Sequence, residues 1–248
     1  MRTRRRSMNG NETTDPSSGR EARRPTGTLV FSSMGQCQTM NKKEAIRTHY
    51  EPRFIPGRPN YQILDWASAH SQKARFQVLV ENVRLHGKSL LDVGCGLGDL
   101  WAFLKRDRID VSYTGVDILE KMVREAQRRH PDARFLQGDV FAESPDQRLF
   151  GPESFDYVFC SGIFNLDLGN NKDFLPRAVP RLLEIASEGV VFNLLHSRTS
   201  YRDSCQDHVY AYYDPAEVLA MLLRLPCRTI ILDDYLPNDF TVICQKAG

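Results

Sequence analysis

Apolar residues show no periodic pattern over residues 1–40, which are rich in Arg, Ser, Thr, Gly and Asn. Such a stretch buries too little apolar surface to offset the entropy of ordering, so a disordered basic tail is expected there. Met34 and Met40 are alternative chain starts, and a basic partner-binding tail is the other reading. Helical pattern begins at Asn41-Lys42-Lys43-Glu44-Ala45-Ile46, and the stretch from Phe54 to Tyr61 reads as a turn-rich link. Ile63, Leu64, Trp66 and Ala67, followed by Phe76, Val78, Leu79 and Val83, fit two amphipathic helices. Residues 41–86 are therefore expected to form a helical cap.

From residue 87 the pattern changes to short apolar runs alternating with helical stretches, the order of an α/β fold with a parallel sheet. The first run ends at Asp92 and leads through Gly94, Gly96 and Gly98 into a helix-compatible stretch, Leu100 to Leu104. Tyr113 to Asp117 reads as a second strand, and Ile118 to Arg129 as a helix with Arg124, Arg128 and Arg129 at its C-terminal end, stopped by Pro131. Ala133 to Val140 and Phe155 to Gly162 give strands three and four. A loop from Asn165 to Asn171 precedes a helix over Phe174 to Ala186, whose first half Pro180 disfavours. Gly189 to Leu195 is strand five. Residues 197–212 are too long for a plain connection and are expected to form a lid or substrate loop. Asp214-Pro215 opens another helix with proline at its first position. The final strands, Arg228 to Leu232 and Phe240 to Gln245, are too close in sequence for a parallel crossover and must pair antiparallel.

The glycine loop carries the first chemistry. Glycines accept positive φ and let a ligand lie against bare backbone. A dinucleotide loop, Gly-x-Gly-x-x-Gly, would place its third glycine at position 99, which is Asp99. A carboxylate at that helix mouth would repel a pyrophosphate, which argues against a nicotinamide-dependent oxidoreductase. Acids also stand at or near the ends of successive strands, as Asp92, Asp117 and Asp139, and in open α/β sheets such ends share one cleft. Asp117 lies about where a ribose-binding carboxylate must emerge. These stretches resemble the motifs of the class I S-adenosylmethionine-dependent methyltransferases, most clearly over residues 85–200.

The resemblance implies a Rossmann-like doubly wound α/β fold over residues 87–248, with a seven-stranded sheet, mostly parallel, and one antiparallel strand near its C-terminal edge. It implies S-adenosyl-L-methionine as cofactor. Gly94, Gly96 and Gly98 would pass beneath the methionine part, which Asp92 would bind directly or through water. Asp117 would take the ribose hydroxyls, and Asp139 the adenine amino group, with the Val140 backbone reading the ring edge. Cys160 and Ser161 would stand where the fourth strand offers a backbone carbonyl to the ligand's ammonium. Ile118 would flank the adenine or belong to the core.

On the acceptor side, a hydroxyl nucleophile needs a base. His196, at the mouth of strand five, is the first candidate, with His49 and Tyr50 on the cap as rivals. Phe164 and Asn165 resemble the family's acceptor-facing position without the Asn-Pro-Pro-Tyr pattern of many nucleic-acid and protein amino-group methylases. Tyr210, Tyr212 and Tyr213 would line the acceptor pocket or form a core cluster.

Composition narrows the partners. The hydrophobic share of 41% and charged share of 26% are ordinary for a soluble globular domain. Net charge is +2, and the arginine-rich tail carries more than all of it, so nothing in the body demands a nucleic-acid partner. A small-molecule acceptor is the leading expectation. An RNA methylase anchored by the tail, or a non-catalytic module of the same fold, are the alternatives. Six cysteines stand singly, which suits free thiols in a reducing compartment. Cys205-x-x-His208 lacks a second pair, so no metal is expected. No apolar run approaches the length of a membrane span, and a cytoplasmic location is expected.

Overall fold

The computed structural model of the chain describes residues 42–198 and 209–246. The expectations for the tail, for Cys37, for residues 199–208 of the long loop and for Cys205 and His208 lie outside them. Residues 40–248 make up one unit, described here by itself.

The sheet is wound outward in both directions from one central strand. β1 (Lys88–Val93) pairs in parallel with β2 (Val111–Asp117) on one side and β4 (Phe155–Cys160) on the other. β3 (Arg134–Gln137) lies outside β2, and β5 (Ala186–His196) lies beyond β4, both parallel to their neighbours. β7 (Cys227–Leu232) and β8 (Asp239–Lys246) complete the order β3-β2-β1-β4-β5-β8-β7. β8 runs antiparallel to both β5 and β7, as their short connection requires. A two-residue strand, β6 (Tyr212–Tyr213), pairs with Leu195 and His196 where β5 extends past β4. The seven expected strands are thus joined by one additional short one.

Helices cover both faces. Successive strand residues point to opposite sides, so Leu90 packs under α3 (Ala69–Asn82), α4 (Asp99–Arg106) and α5 (Glu120–Arg129), while Leu91 faces α6 (Asn171–Ile185) and α7 (Pro215–Leu222). α6 runs through both Pro176 and Pro180. Burial of Leu175, Ala178, Val179, Leu182 and Leu183 outweighs the roughly 3 kcal/mol that an interior proline costs.

The cap differs from its expected form. α1 (Lys42–Tyr50) is followed by α2 (Asn60–Ile63), which stops before Leu64, Asp65 and Trp66. Asp65 takes φ +61°, which ends the helix. Ser68 then caps α3, its side chain accepting from Ser71 N at 3.0 Å. Among the described residues, no helix is long and apolar enough to cross a membrane. No group of three metal-ligating side chains occurs among them. Cys95, Cys160, Cys227 and Cys244 are free thiols.

Candidate functional site

Two strand ends that neighbour each other in the sheet create the site. At the carboxyl ends of β1 and β4 the chain order reverses, and open α/β sheets have their crevice there. The β1 end turns through Gly94, Gly96 and Gly98, with φ of 76°, 53° and 80°. The β4 end turns at Gly162, φ 83°. Between them and the cap lies a cleft of about 1110 Å³, counting its open mouth.

On the cofactor-facing side, Gly94, Gly96, Asp117, Ile118, Asp139 and Val140 all line the cleft. Asp117 Oδ2 accepts the Gly96 N–H at 3.0 Å, and Oδ1 accepts that of Leu119 at 2.9 Å. Each oxygen keeps a lone pair for another donor. Burial raises the Asp117 carboxyl above its ordinary value, while the backbone hydrogen bonds from Leu119 and Gly96 act to lower it. Asp139 accepts from Phe141 N at 2.9 Å and lies 3.9 Å from Lys42 Nζ. Lys42 itself sits over the Phe174 and Phe141 rings, 4.3 and 4.8 Å from their centroids, and its burial lowers its pKa.

Ser161, Asn165, Tyr50 and Tyr210 line the remainder, with Asp65 and Trp66 from the turn after α2. Asp65 gathers a polar cluster. Its Oδ2 lies 2.7 Å from His49 Nε2 and accepts the Tyr210 hydroxyl at 2.5 Å, while Arg53 Nε stands 3.4 Å from Oδ1. Burial alone would raise the Asp65 carboxyl, but those hydrogen bonds and the Arg53 charge bring it down to about 2. Burial, chiefly, pushes the Tyr50 and Tyr210 hydroxyls above their ordinary range.

Asp92, Gly98, Cys160, Phe164 and His196 do not line the cleft, and each has a packing reason. Asp92 is 4% exposed and accepts the Tyr113 hydroxyl at 2.7 Å beneath the glycine turn. Burial pushes its carboxyl up to about 7 against that hydrogen bond. Gly98 caps α4, and a Cβ there would lie 2.7 Å from the His130 ring and 2.9 Å from Phe135. Its lack of a side chain serves helix–strand packing. The Cys160 side chain is fully buried. Phe164 is buried against Phe174 and Phe192. His196 continues the side of β5 that carries Phe192 and Leu194, so its ring meets Phe240 with centroids 5.7 Å apart. Its Nδ1 accepts the Arg198 N–H at 3.0 Å. The strand's alternation directs His196 into the layer under α6, not into the cleft.

Sequence reasoning missed Lys42, Asp65 and Trp66 as lining residues. The acid after the apolar pair Ile63-Leu64 was the available signal for Asp65. Asp99, first read only as an obstacle to pyrophosphate, accepts from Gln72 Nε2 at 3.0 Å and from Asn60 Nδ2, tying the cap to the glycine turn.

Two observations bear on whether a nucleoside with an amino-acid tail fits here. Asp117 presents spare acceptor capacity to the cleft. Among the described residues, Ser161 Oγ, on a cleft-lining residue just past the end of β4, is a buried side-chain polar atom without a partner. Buried polar groups are normally satisfied, so it suits a ligand that brings its own polar groups.

Comparison with known proteins agrees. The profile of a family described as a methyltransferase domain matches residues 90–184. The methyltransferase-named protein Rv1506c of Mycobacterium tuberculosis is 30% identical over 167 residues, which cover 64% of this chain and 94% of that protein. A trans-aconitate 2-methyltransferase of Afipia carboxidovorans is 30% identical over 42% of this chain. A phthiotriol/phenolphthiotriol dimycocerosates methyltransferase of Mycobacterium leprae is 30% identical over 43% of it. The matches span only 38% and 37% of those two relatives. Among solved structures, the magnesium protoporphyrin IX methyltransferase of Synechocystis PCC 6803 with bound S-adenosylmethionine superimposes with a TM-score of 0.59 at 19% identity. That alignment covers 84% of this chain and 98% of the other and shows the common fold. The sheet order, the glycine turn and the likeness to Rv1506c over 94% of that protein together make this chain a member of the class I S-adenosylmethionine-dependent methyltransferase family.

Proposed function

We propose that the protein transfers the methyl group of S-adenosylmethionine to a small-molecule acceptor held in the same cleft. The observation that carries this reading is Asp117, whose two backbone hydrogen bonds orient the carboxylate and leave one lone pair on each oxygen for a ribose diol. Asp139 and the Val140 backbone take the adenine edge. Gly94 and Gly96 allow close approach of the amino-acid part, and Ser161 stands at the end of β4 to meet its ammonium. When bound, the sulfonium supplies an electrophilic methyl group.

The chain's own residues hold the partners in line and exclude water, which is most of what such a displacement needs. Leu64, Trp66 and Tyr50 close the cleft from the cap side. The curated relatives named for trans-aconitate and for phthiotriol lipids support a small-molecule acceptor by likeness.

Calorimetry with S-adenosylhomocysteine and with NAD is the first test, and micromolar binding of the former alone is expected. Binding of NAD without S-adenosylhomocysteine would sink the reading. Incubation with methyl-labelled cofactor and a metabolite extract, followed by mass spectrometry, then identifies the acceptor. Label recovered in RNA and in no metabolite would count against a small molecule.

A further inference from the structure

Apart from Asp117, which the cofactor reading uses, the charged side chains described around the acceptor side of the cleft already have partners. Lys42 is the one cation among its described lining residues, and it is engaged by two aromatic rings and Asp139. Asp65 is already hydrogen-bonded to His49 and Tyr210 and ion-paired with Arg53. Among the described lining residues, an acceptor bearing a carboxylate would find no uncommitted cation, and an ammonium would compete with partners that Asp65 and Asp139 already hold. Burial of an unpaired charge is strongly unfavourable.

Asn165 stands apart from these pairs. It is 8% exposed, lines the cleft, and its Oδ1 has no partner. Its backbone is clamped from two sides, with N donating to Gly162 O at 3.1 Å and O accepting from Ala211 N at 2.8 Å. The main chain that presents the side chain is thereby held in place. Ile163, Leu166, Leu168 and Phe174 also line the cleft. An amide presented among apolar side chains recognises a neutral hydrogen-bonding group on an apolar body.

Building on the methyltransferase reading, we infer that the acceptor is an uncharged, largely apolar molecule carrying an O–H or N–H donor, which Asn165 Oδ1 accepts. Asn165 is the residue that discriminates such a molecule from a charged analogue of the same shape. A site built to hydrogen-bond a donor rejects analogues that leave its buried polar atom unpaired.

The test uses three probes with one apolar body: 4-phenylphenol, biphenyl-4-carboxylate and 4-phenylbenzylammonium. Each is titrated by calorimetry into the full-length protein saturated with S-adenosylhomocysteine. The phenol is expected to bind at least about tenfold more tightly than either ion. Asn165→Leu should weaken the phenol about tenfold with S-adenosylhomocysteine affinity unchanged. Asn165→Asp, which retains the accepting oxygen, should bind the phenol more tightly than Asn165→Leu does. Tighter or equal binding of either ion to the wild-type protein overturns the assignment, as does binding of none of the three. Undiminished phenol affinity in Asn165→Leu removes Asn165 from recognition. Because the wild-type comparison needs no variant, a misfolded mutant does not blunt the test. Failure to bind S-adenosylhomocysteine would instead overturn the underlying methyltransferase reading.

Discussion

Trp66 packs so closely on Gly162 that a Cβ on the glycine would lie 2.7 Å from the indole. The contact closes a circuit of interactions. Arg75 lies over the Trp66 ring at 4.2 Å and forms a buried ion pair with Asp239. Asp239 Oδ1 accepts from Asn193 Nδ2 at 3.2 Å, and Asn193 Oδ1 accepts the Gly162 N–H at 3.0 Å. Through this circuit the cap, β5, β8 and the turn after β4 fix one wall of the cleft together.

Gly162→Ala should therefore be costly. The residue has φ 83°, and the indole it would displace is held on its other side by Arg75. A loss of about 1–3 kcal/mol is expected, read as a lower melting temperature together with a shifted Trp66 emission. A melting temperature equal to wild type would show that the indole yields freely.

Asp117→Ala should weaken S-adenosylhomocysteine binding by about tenfold or more, since charge-assisted hydrogen bonds are the strong ones. Circular dichroism should still report a folded protein. Calorimetry giving wild-type affinity would place the ribose contact elsewhere.

Asp65 gives a pH signature. Its folded carboxyl, at about 2, lies below its ordinary 3.8. A depressed carboxyl contributes stability that is complete above about pH 4 and is lost as pH falls through about 2. The side chain is 23% exposed, so the contribution is of order 2 kcal/mol. Urea unfolding of wild type and Asp65→Asn should differ by that amount at pH 6 and converge near pH 2. A difference independent of pH would assign the effect to packing instead of charge.

His196→Ala tests the first candidate base against its position. A buried ring lost from beside Phe240 should cost roughly 1–3 kcal/mol, with S-adenosylhomocysteine affinity intact. Stopped-flow single-turnover rates, once an acceptor is in hand, should fall little. A hundredfold slower variant that melts like wild type would return His196 to the reaction.

Local pattern was enough to determine the α/β alternation, the glycine turn after β1, the acid at the end of β2 and the antiparallel pairing of β7 and β8, because each follows from chain-neighbour constraints. Backbone φ at Gly94 and Gly96, and the two-residue periodicity of strands, are readable without knowing what lies across the sheet. What lay beyond reach was decided by residues distant in the chain. α6 survives two prolines because its apolar face is buried on β4 and β5. Asp92 and Gly98, though part of the recognised motif, are consumed by Tyr113 and by Phe135 and His130. His196 sits at a strand end, as its sequence suggests, but the sheet's alternation directs it away from the cleft. Asp65 and Lys42 reach the cleft only because the cap folds over it, and partner choice across such separations depends on tertiary packing that no local period encodes.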